Sequence, residues 1–151
     1  MLTGYHFTAY DNWPSIRERG LRIGRIRDDF VDITLKYAGT EFGAWVFCEP
    51  PANDKDLLGQ LIFTMSQHKA PAAALIRCEY GEELSVRERA RELGYILDLS
   101  HWGSWGVERK GYSNVEDYHE GKPFDIVLAN IPPEQLSLIA AYGIQEIGHD
   151  K

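Results

Sequence analysis

The first strand, turn and helix of the chain constrain the fold most, because residue types that begin or end secondary structure mark their boundaries. Residues 2–8, Leu-Thr-Gly-Tyr-His-Phe-Thr, predict a strand. A short helix is predicted from about residue 13 to residue 19, with Asn12 as its N-cap and Gly20 as its stop. Pro14 lies in the first turn, where proline is tolerated.

His6 is the chemically notable residue of this opening strand. It lies between Tyr5 and Phe7, and a polar ring in a half-buried strand needs a hydrogen-bond partner. Either a local group satisfies the ring or the ring faces a ligand, and the sequence alone leaves both interpretations open.

Length and composition predict one globular domain spanning residues 1–151. The chain is 44% hydrophobic and 26% charged, which is ordinary globular composition. No apolar run approaches the roughly 18 residues of a membrane span, and the N-terminus lacks the pattern of a secretory signal. We therefore expect a soluble, cytoplasmic protein with no membrane partner.

The net charge bears on whether the protein binds nucleic acid, and the positions of the cysteines bear on whether it contains a disulfide or a metal site. The net charge of −7 argues against broad attraction to nucleic acid. Residues 17–27 nevertheless carry five arginines, which are interpreted as a solvated helix end and loop, with a local basic face as the alternative. Cys48 and Cys78 lie in separate strand-like runs and are expected to be buried thiols rather than a disulfide or a metal site.

The rest of the chain predicts a mixed α+β domain. Strands are predicted at residues 42–49, 72–80, 93–99, 124–131 and 137–142. A helix capped by Asp54 has an apolar face made of Leu57, Leu58, Leu61, Ile62 and Met65, and a capping box at Ser85 opens a third helix, ended by Gly94. Residues 22–40 predict a long loop with one helical turn, and residues 100–122 predict irregular, aromatic-rich structure. The total is five or six strands and three helices without strict βαβ alternation.

Common catalytic motifs are missing from the sequence. It contains no G-x-G-x-x-G, phosphate-binding loop, G-x-S-x-G or H-E-x-x-H pattern and no paired C-x-x-C. His68, His119 and His149 stand in polar surroundings and are expected at the surface, while His101 beside Trp102 is a somewhat better functional candidate.

Three patches resemble, in order, the sequence signature of ADP-ribosyltransferase-like domains. The first is the run Tyr5-His6-Phe7-Thr8, whose His-x-Thr pattern leads to a helix ending in Gly20-Leu21. The second, Gly43-Ala44-Trp45-Val46-Phe47, is similar to the family's Gly-apolar-aromatic-apolar-Phe strand. The third runs from Asp125 into Ile131-Pro132-Pro133 and resembles a late strand of that family.

The resemblance implies a fold of split, strongly bent β-sheets flanked by short helices, with NAD bound in the cleft as a substrate. His6 would then hydrogen-bond the ribose next to nicotinamide, and Thr8 and Gly43 would help to position the cofactor. Trp45 stands where members of the His-Tyr-Glu type carry a tyrosine packed on nicotinamide, so it keeps the aromatic face and loses the hydroxyl.

The catalytic acid is the weakest part of the resemblance. Family transferases place a glutamate at the start of the late strand, and here Asp125 stands at about that position. A carboxylate suits the chemistry, because positive charge develops on the ribose carbon as nicotinamide leaves. Glu120 and Glu116 are the upstream substitutes, and a structural aspartate at a strand entrance is the alternative interpretation of Asp125.

The function implied is transfer of ADP-ribose from NAD to an acceptor, with a protein acceptor favoured over nucleic acid. A 2′-phosphorylated RNA acceptor stays open, because related RNA 2′-phosphotransferases share the fold and the arginines of residues 17–27 suit a phosphate. Two other classes also stay open. One is an inactive NAD-, nucleotide- or protein-binding module that uses Trp102 and Trp105; the other is a hydrolase or nuclease with His6 or His101 as base and Asp98 or Asp125 as its orienting group.

Overall fold

A computed structural model describes residues 1–99, 106–110 and 122–143 of the chain. The strands are β1 (Leu2–Ala9), β2 (Gly24–Arg25), β3 (Phe42–Phe47), β4 (Ala72–Tyr80), β5 (Tyr95–Leu99), β6 (Gly106–Lys110), β7 (Lys122–Val127) and β8 (Leu136–Gly143). The helices are α1 (Trp13–Arg19), α2 (Asp28–Ala38), α3 (Asp54–His68) and α4 (Val86–Glu92). The mixed α+β class predicted from the sequence is confirmed.

The strands form one bent antiparallel sheet in the order β6-β5-β7-β3-β1-β4-β8, and β2 pairs with β3 away from this path. β1 and β4 are paired along their whole shared length, from Leu2 opposite Tyr80 to Ala9 opposite Ala73. β1 and β3 are paired much less: within the described residues their register contains the single pair Tyr5 and Phe47. The sheet therefore has a weakly paired seam beside the strand that carries His6.

Three apolar clusters hold the helices to this sheet. α1 contributes Trp13 and Ile16 to a cluster with buried residues of β3 and β4. α3 packs Leu61 on β4 next to partly buried side chains of β1. α2 and α4 share a third cluster with β5 and β7. Helices from separate parts of the chain thus cover the strands on both sides of the seam.

The prediction of a long loop over residues 22–40 is wrong, because most of that stretch is helix α2. Phe30, Thr34 and Tyr37 are buried and recur at helical spacing. Thr34 is a polar residue in the middle of this stripe, so the apolar period is broken in the sequence. Its hydroxyl donates to the Phe30 carbonyl at 2.9 Å, which satisfies the group inside the core.

Two predicted helix caps are also corrected. Asn12 precedes α1 but makes no side-chain capping bond; its amide nitrogen instead donates to the Thr8 hydroxyl at 2.8 Å. α3 is capped by Asn53 rather than Asp54, since the Asn53 side chain accepts from the Asp56 amide at 2.8 Å. Ser85 is confirmed as the N-cap of α4, with its hydroxyl accepting from the Glu88 amide at 3.0 Å, while its own amide donates to the Glu82 carbonyl at 3.1 Å.

The predicted apolar face of α3 is partly wrong. Leu57, Leu61 and Met65 pack toward the sheet. Leu58 and Ile62 were expected in the same face but are 39% and 47% exposed. The apolar residues that contact the core are therefore spaced about one per turn, and the polar Thr64 is buried beside them.

The structure describes more elements than the five or six strands and three helices predicted. The additional elements are α2, the short strand β2, and β6, which lies within residues 100–122, where irregular structure was expected. Residues 100–105 and 111–121 of that stretch, including His101, Trp102, Trp105 and Glu120, lie outside the described residues. Within the described part of the chain, no helix has both the length and the apolar character required to cross a membrane.

Candidate functional site

A cleft of about 210 Å³ lies between β1, β3, the start of α2 and the C-terminal half of α3. The cleft follows the weakly paired seam of the sheet. β1 contributes the adjacent residues His6 and Phe7 to its lining, and β3 contributes Trp45 and Phe47. The residues that line it are His6, Phe7, Ile26, Arg27, Phe30, Trp45, Phe47, Gln60, Phe63, Thr64, Gln67 and His68. Five of these side chains are aromatic carbon rings, so the cleft suits a flat ligand.

The His6 ring bridges the seam between β1 and β3. Its Nδ1 lies 2.8 Å from the Trp45 carbonyl oxygen. A carbonyl only accepts, so Nδ1 carries the proton of that bond and Nε2 of the neutral ring is an acceptor. Among the described residues, nothing hydrogen-bonds Nε2. His6 therefore presents an unused acceptor while its orientation is fixed from the other side.

The pKa of His6 is lowered, chiefly because burial disfavours the charged ring. The bond to the Trp45 carbonyl opposes this shift, and the charge of His68 adds to it. Both histidines line the cleft. The ring is consequently held in its neutral form to lower pH than an exposed histidine would be.

Aromatic packing fixes the floor of the cleft around Trp45. Its ring centroid lies 4.6 Å from that of Phe47 at an interplanar angle of 80°, and 5.8 Å from that of Phe124 at 15°. Phe30 of α2 lies 5.7 Å away. The indole Nε1 is buried, and no described residue accepts from it. Among the described residues, the Trp45 indole ring is thus held by edge and stacked ring contacts and makes no side-chain hydrogen bond.

The opposite side of the cleft is one face of α3, which we call the α3 wall. Its members, Gln60, Phe63, Thr64, Gln67 and His68, recur at intervals of three and four residues. Sequence reasoning missed this wall. The signal was present, since these residues share one helical face next to the apolar stripe, but only the apolar period was followed.

Arg27 is the one permanently charged side chain among the described residues that line the cleft. Its guanidinium carbon lies 5.6 Å from the centroid of the Phe30 ring, in a cation–π contact. Arg25 of the same arginine-rich stretch is exposed, as Arg27 is, and is paired with Asp28 and Glu41 at 3.0 Å each. Most of that stretch thus matches the interpretation as solvated surface, while Arg27 belongs to the cleft.

Asp125 lies outside the cleft, buried between β7, β4 and the start of α4. Four donors contact its carboxylate: the Tyr80 hydroxyl at 2.8 Å, the Ser85 hydroxyl at 2.5 Å, the Arg87 amide at 2.9 Å and the Ile126 amide at 2.7 Å. Burial raises the pKa of Asp125, and these bonds oppose that rise. We call this group of residues the Asp125 network.

Arg87 extends the Asp125 network toward β5. Its guanidinium donates to the Leu97 carbonyl and lies 3.4 Å from both an Asp98 carboxylate oxygen and the Phe124 carbonyl. Neither Asp98 nor Asp125 is the partner of His6, whose Nδ1 contacts the Trp45 carbonyl. The His–Asp arrangement considered for a hydrolase built on His6 is therefore absent from the described residues.

Of the residues singled out from the sequence, His6 and Trp45 meet in the cleft. Thr8 is buried elsewhere and accepts from Asn12. Gly43 is buried against β7, where an added Cβ would lie 2.4 Å from Ile126 Cγ2, so its lack of a side chain serves packing. Glu120, the alternative catalytic residue, and Glu116 lie outside the described residues. The catalytic roles of Asp125 and Glu120 stay predictions.

The two cysteines are free thiols. Burial raises the pKa of both Cys48 and Cys78 to about 12, so neither is a reactive thiolate at neutral pH. Cys78 is fully buried as predicted, and Cys48 is half-buried. In the described ranges, no group of three or more histidine, cysteine or carboxylate side chains is arranged to hold a metal ion.

Comparison with known proteins yields no match: the sequence matches no family and no curated protein, and the structure matches no solved structure.

Proposed function

We propose that the cleft binds NAD as a substrate and that the protein transfers ADP-ribose to a macromolecular acceptor, releasing nicotinamide. The observation that carries this proposal is His6. Its ring is anchored through Nδ1 at 2.8 Å from the Trp45 carbonyl and lines an aromatic cleft with Nε2 as an acceptor. A neutral imidazole fixed in this way suits a ribose hydroxyl, which donates the hydrogen bond.

The size and lining of the cleft support binding of one end of the dinucleotide. Sites that enclose a drug-sized ligand usually measure about 300–1,000 Å³, and the cleft measures about 210 Å³. The cleft is therefore smaller than a site that would enclose the whole dinucleotide. We expect it to hold the nicotinamide ring and part of its ribose, with the remainder of NAD outside. Trp45 and Phe47 supply ring surfaces for a flat pyridine.

The fold proposed with this function is the ADP-ribosyltransferase-like arrangement of split sheets. The bent antiparallel sheet and the single residue pair that joins β1 to β3 in the described residues are compatible with such a split. In this arrangement His6 stands on one side of the seam and Trp45 on the other.

Charge stabilisation requires a carboxylate that the described part of the cleft lining lacks. As nicotinamide leaves, positive charge develops on the ribose carbon, and a fixed negative charge lowers that barrier. The carboxylate oxygens of Asp125 are already held by four donors outside the cleft. We therefore favour Glu120 for this role, with Glu116 as its alternative, and assign Asp125 to the architecture.

A second candidate function is an NAD- or nucleotide-binding module of the same fold without turnover. The observation that favours it is the same burial of Asp125, because the residue at the family's catalytic position is used as a structural anchor. The two candidates share the cleft and differ in whether a glycosidic bond is broken.

Calorimetric titration with NAD, combined with chromatographic detection of free nicotinamide, tests both candidates. Binding with release of nicotinamide is the expected result, and binding without release identifies the module. His6→Ala should abolish binding, whereas Ile62→Ala, an exposed position of α3 outside the cleft lining, should bind as the unmodified protein does. No heat of binding at saturating NAD would overturn both.

If release is observed, Glu120→Gln and Glu116→Gln separate the two carboxylate assignments. The variant of the catalytic residue should lose release and keep NAD binding, because the amide preserves shape and removes charge. Full release in both variants would refute the assignment of the carboxylate to this segment.

A further inference from the structure

The two edges of the sheet differ in the residues that form them. The described strand order ends in β6 on one side and in β8 on the other. Three of the five residues of β6 are charged, namely Glu108, Arg109 and Lys110, and charged residues on an edge strand oppose pairing with another chain. The eight residues of β8 include no charged residue and no proline. β8 therefore lacks the residue types that usually keep an edge strand from pairing.

β8 also exposes apolar side chains along its length. Leu138, Ile139 and Tyr142 are all exposed. A bulge in the pairing with β4 leaves Ile139 without a partner in the register. Bulges can turn an edge away from other strands, but the residue left out of register here is apolar. Grouped apolar side chains at a surface mark contact sites, so β8 has the composition of an interface.

The flank of α3 nearest to β8 is the one opposite the α3 wall. The strand order includes β3-β1-β4-β8, and the α3 wall faces the cleft at β1 and β3. The opposite flank therefore lies toward β8, and it carries the exposed residues Leu58 and Ile62. Tyr142 is on the same side of the sheet, because it is opposite Ala73, which packs against α3. We call β8 together with this flank the β8 face.

The two ends of this flank carry opposite charges. Asp54 is the first residue of α3, and Lys69 follows its last residue. Asp54, Leu58 and Ile62 recur every four residues, and Lys69 follows Ile62 by seven, so all four share one side of the helix. Asp54 and Lys69 are both exposed. Along the helix the flank is therefore acidic at its start, apolar in its middle and basic at its end.

A twofold axis at the β8 face brings the unlike ends together. Leu61, the middle residue of α3, belongs to the same cluster as Ala140, which lies near the middle of β8. An axis through the middle of β8 therefore also passes beside the middle of α3. Antiparallel pairing of β8 with a copy of itself then brings Asp54 to the end of the interface where Lys69 of the partner subunit lies. Apolar side chains of both copies meet between these ends.

We propose that a second copy of this chain binds at the β8 face, with β8 pairing antiparallel to β8 of the partner subunit. A twofold interface uses the same surface on both copies, so the surface must be complementary to itself. The β8 face meets this requirement in charge and in apolar character. The cleft lies on the other side of α3, so the dimer leaves it open and the proposal does not depend on transfer of ADP-ribose.

The size of the β8 face predicts a weak dimer. A strand of eight residues is about 26 Å long, and a sheet with one helix layer on it is roughly 15–20 Å thick. Two faces of this size bury roughly 1,000 Å² in total, which is about the smallest area of a specific interface. We expect a dissociation constant of about 1–100 μM.

Sedimentation velocity of the full chain between about 1 and 500 μM measures this association. The unmodified protein should change from monomer to dimer across the range. Ile62→Lys should weaken dimerisation at least about tenfold, because it places like charges on both copies near the axis. Leu35→Lys is the matched control and should dimerise as the unmodified protein does. Leu35 is about as exposed as Ile62 but lies on α2, which packs with β5 and β7.

Exchange of the two charges tests the antiparallel arrangement. At low ionic strength, Asp54→Lys and Lys69→Asp should each weaken dimerisation about two- to fivefold, because each brings like charges together. The double variant reverses the order of the unlike charges and should recover most of the lost affinity. Lys69 has a φ of 50°, a conformation that aspartate tolerates. A double variant that dimerises no better than either single variant would overturn the arrangement.

Hydrogen exchange measured residue by residue tests the strand pairing. The amides of β8 should exchange more slowly as the fraction of dimer rises, while those of β6 should exchange at the same rate at every protein concentration. The proposal would be overturned by a protein that stays monomeric at about 500 μM, by an Ile62→Lys variant that dimerises as tightly as the unmodified protein, or by β8 amides that exchange independently of concentration. Far-ultraviolet circular dichroism verifies the fold of each variant.

Discussion

His6 in the cleft and Asp125 in its network are both ionisable residues on strands of the same sheet, and both make hydrogen bonds below 3 Å. They differ in how completely they are satisfied. Among the described residues, His6 makes one bond, through Nδ1 to the Trp45 carbonyl. Asp125 accepts from four donors and is 1% exposed.

This difference separates a residue that holds the fold together from one that is available to a ligand. A buried polar group whose capacity is filled by the protein makes the arrangement around it specific and rigid. A group with an unused atom in a cleft can bind something else. The sequence made both residues candidates, with a structural role left open for each, and the contacts favour His6 as the residue available to a ligand.

The surroundings of the two residues show the same contrast. Tyr80 and Ser85 of the Asp125 network are buried, whereas Phe63, Gln67 and His68 of the cleft are exposed. Substitutions in the network should therefore change stability, and substitutions in the cleft should change binding more than stability.

The largest effect is expected for Asp125→Ala. Removing the carboxylate leaves the Tyr80 and Ser85 hydroxyls and the Arg87 amide without their acceptor inside the core. The free energy of unfolding should fall by about 3–5 kcal/mol, as for other broken buried networks. Urea denaturation followed by circular dichroism measures it.

Tyr80→Phe provides the graded control for this prediction. It removes one of the four bonds and keeps the ring, so we expect a loss of about 1 kcal/mol. If Asp125→Asn kept the full stability and lost nicotinamide release, Asp125 would return to the catalytic role and the comparison with His6 would fail.

A smaller effect is expected for Gly43→Ala, which tests whether Gly43 serves packing or NAD binding. The added Cβ would lie 2.4 Å from Ile126 Cγ2 and 3.1 Å from the Val127 carbonyl oxygen. Such overpacking should cost about 1–3 kcal/mol of unfolding free energy.

Gly59→Ala is the matched control, because Gly59 lies within α3 with nothing within 4 Å of the added Cβ. There the same substitution should stabilise the protein by about 0.5–1 kcal/mol. Thermal unfolding of both variants gives the comparison. A Gly43→Ala protein with unchanged melting temperature and reduced NAD binding would restore the role implied by the resemblance.

The sequence predicts those elements whose ends carry local signals. α1, which lies between Asn12 and Gly20, and β4, over residues 72–80, have the predicted bounds. α2 was missed because Thr34 interrupts its buried stripe, and the partner that satisfies Thr34, the Phe30 carbonyl, becomes visible only once the helix is formed. Local patterning therefore fails where a polar group is buried with its partner.

The candidate site is harder to predict, because its definition depends on contacts between distant residues. The donors to Asp125 from Tyr80, Ser85 and Arg87 are separated from it by 38 to 45 positions. The His6–Trp45 bond joins positions 39 apart. Sequence identified His6 and Trp45 through a motif, but it contained no information that distinguishes a satisfied carboxylate from a free one.

His6→Ala should lower the free energy of unfolding less than Asp125→Ala or Gly43→Ala does. It should weaken NAD binding more than either of them. Loss of the bond to the Trp45 carbonyl should lower the free energy of unfolding by about 1 kcal/mol. NAD binding should be abolished, because the acceptor at Nε2 is removed. A destabilisation as large as that of Asp125→Ala with unchanged NAD affinity would place His6 in the same structural class as Asp125.

The smallest effect expected is the dependence of stability on the charge of His6. The pKa of His6 in the folded protein lies below the ordinary value of 6.5, chiefly because of burial. The folded state therefore binds this proton more weakly than the unfolded state, so the free energy of unfolding falls as pH falls through 6.5 toward the folded pKa.

His6→Gln is the control for this prediction. Subtracting the pH dependence of its unfolding free energy from that of the unmodified protein removes the contribution of the other titrating groups. Between about pH 7.5 and about pH 5, denaturation should show a larger loss of unfolding free energy for the unmodified protein than for His6→Gln. NAD affinity should fall in acid for the same reason, since the protonated ring has no acceptor. Parallel curves would show that His6 titrates as an exposed histidine, and its contrast with the buried Asp125 would then rest on hydrogen bonding alone.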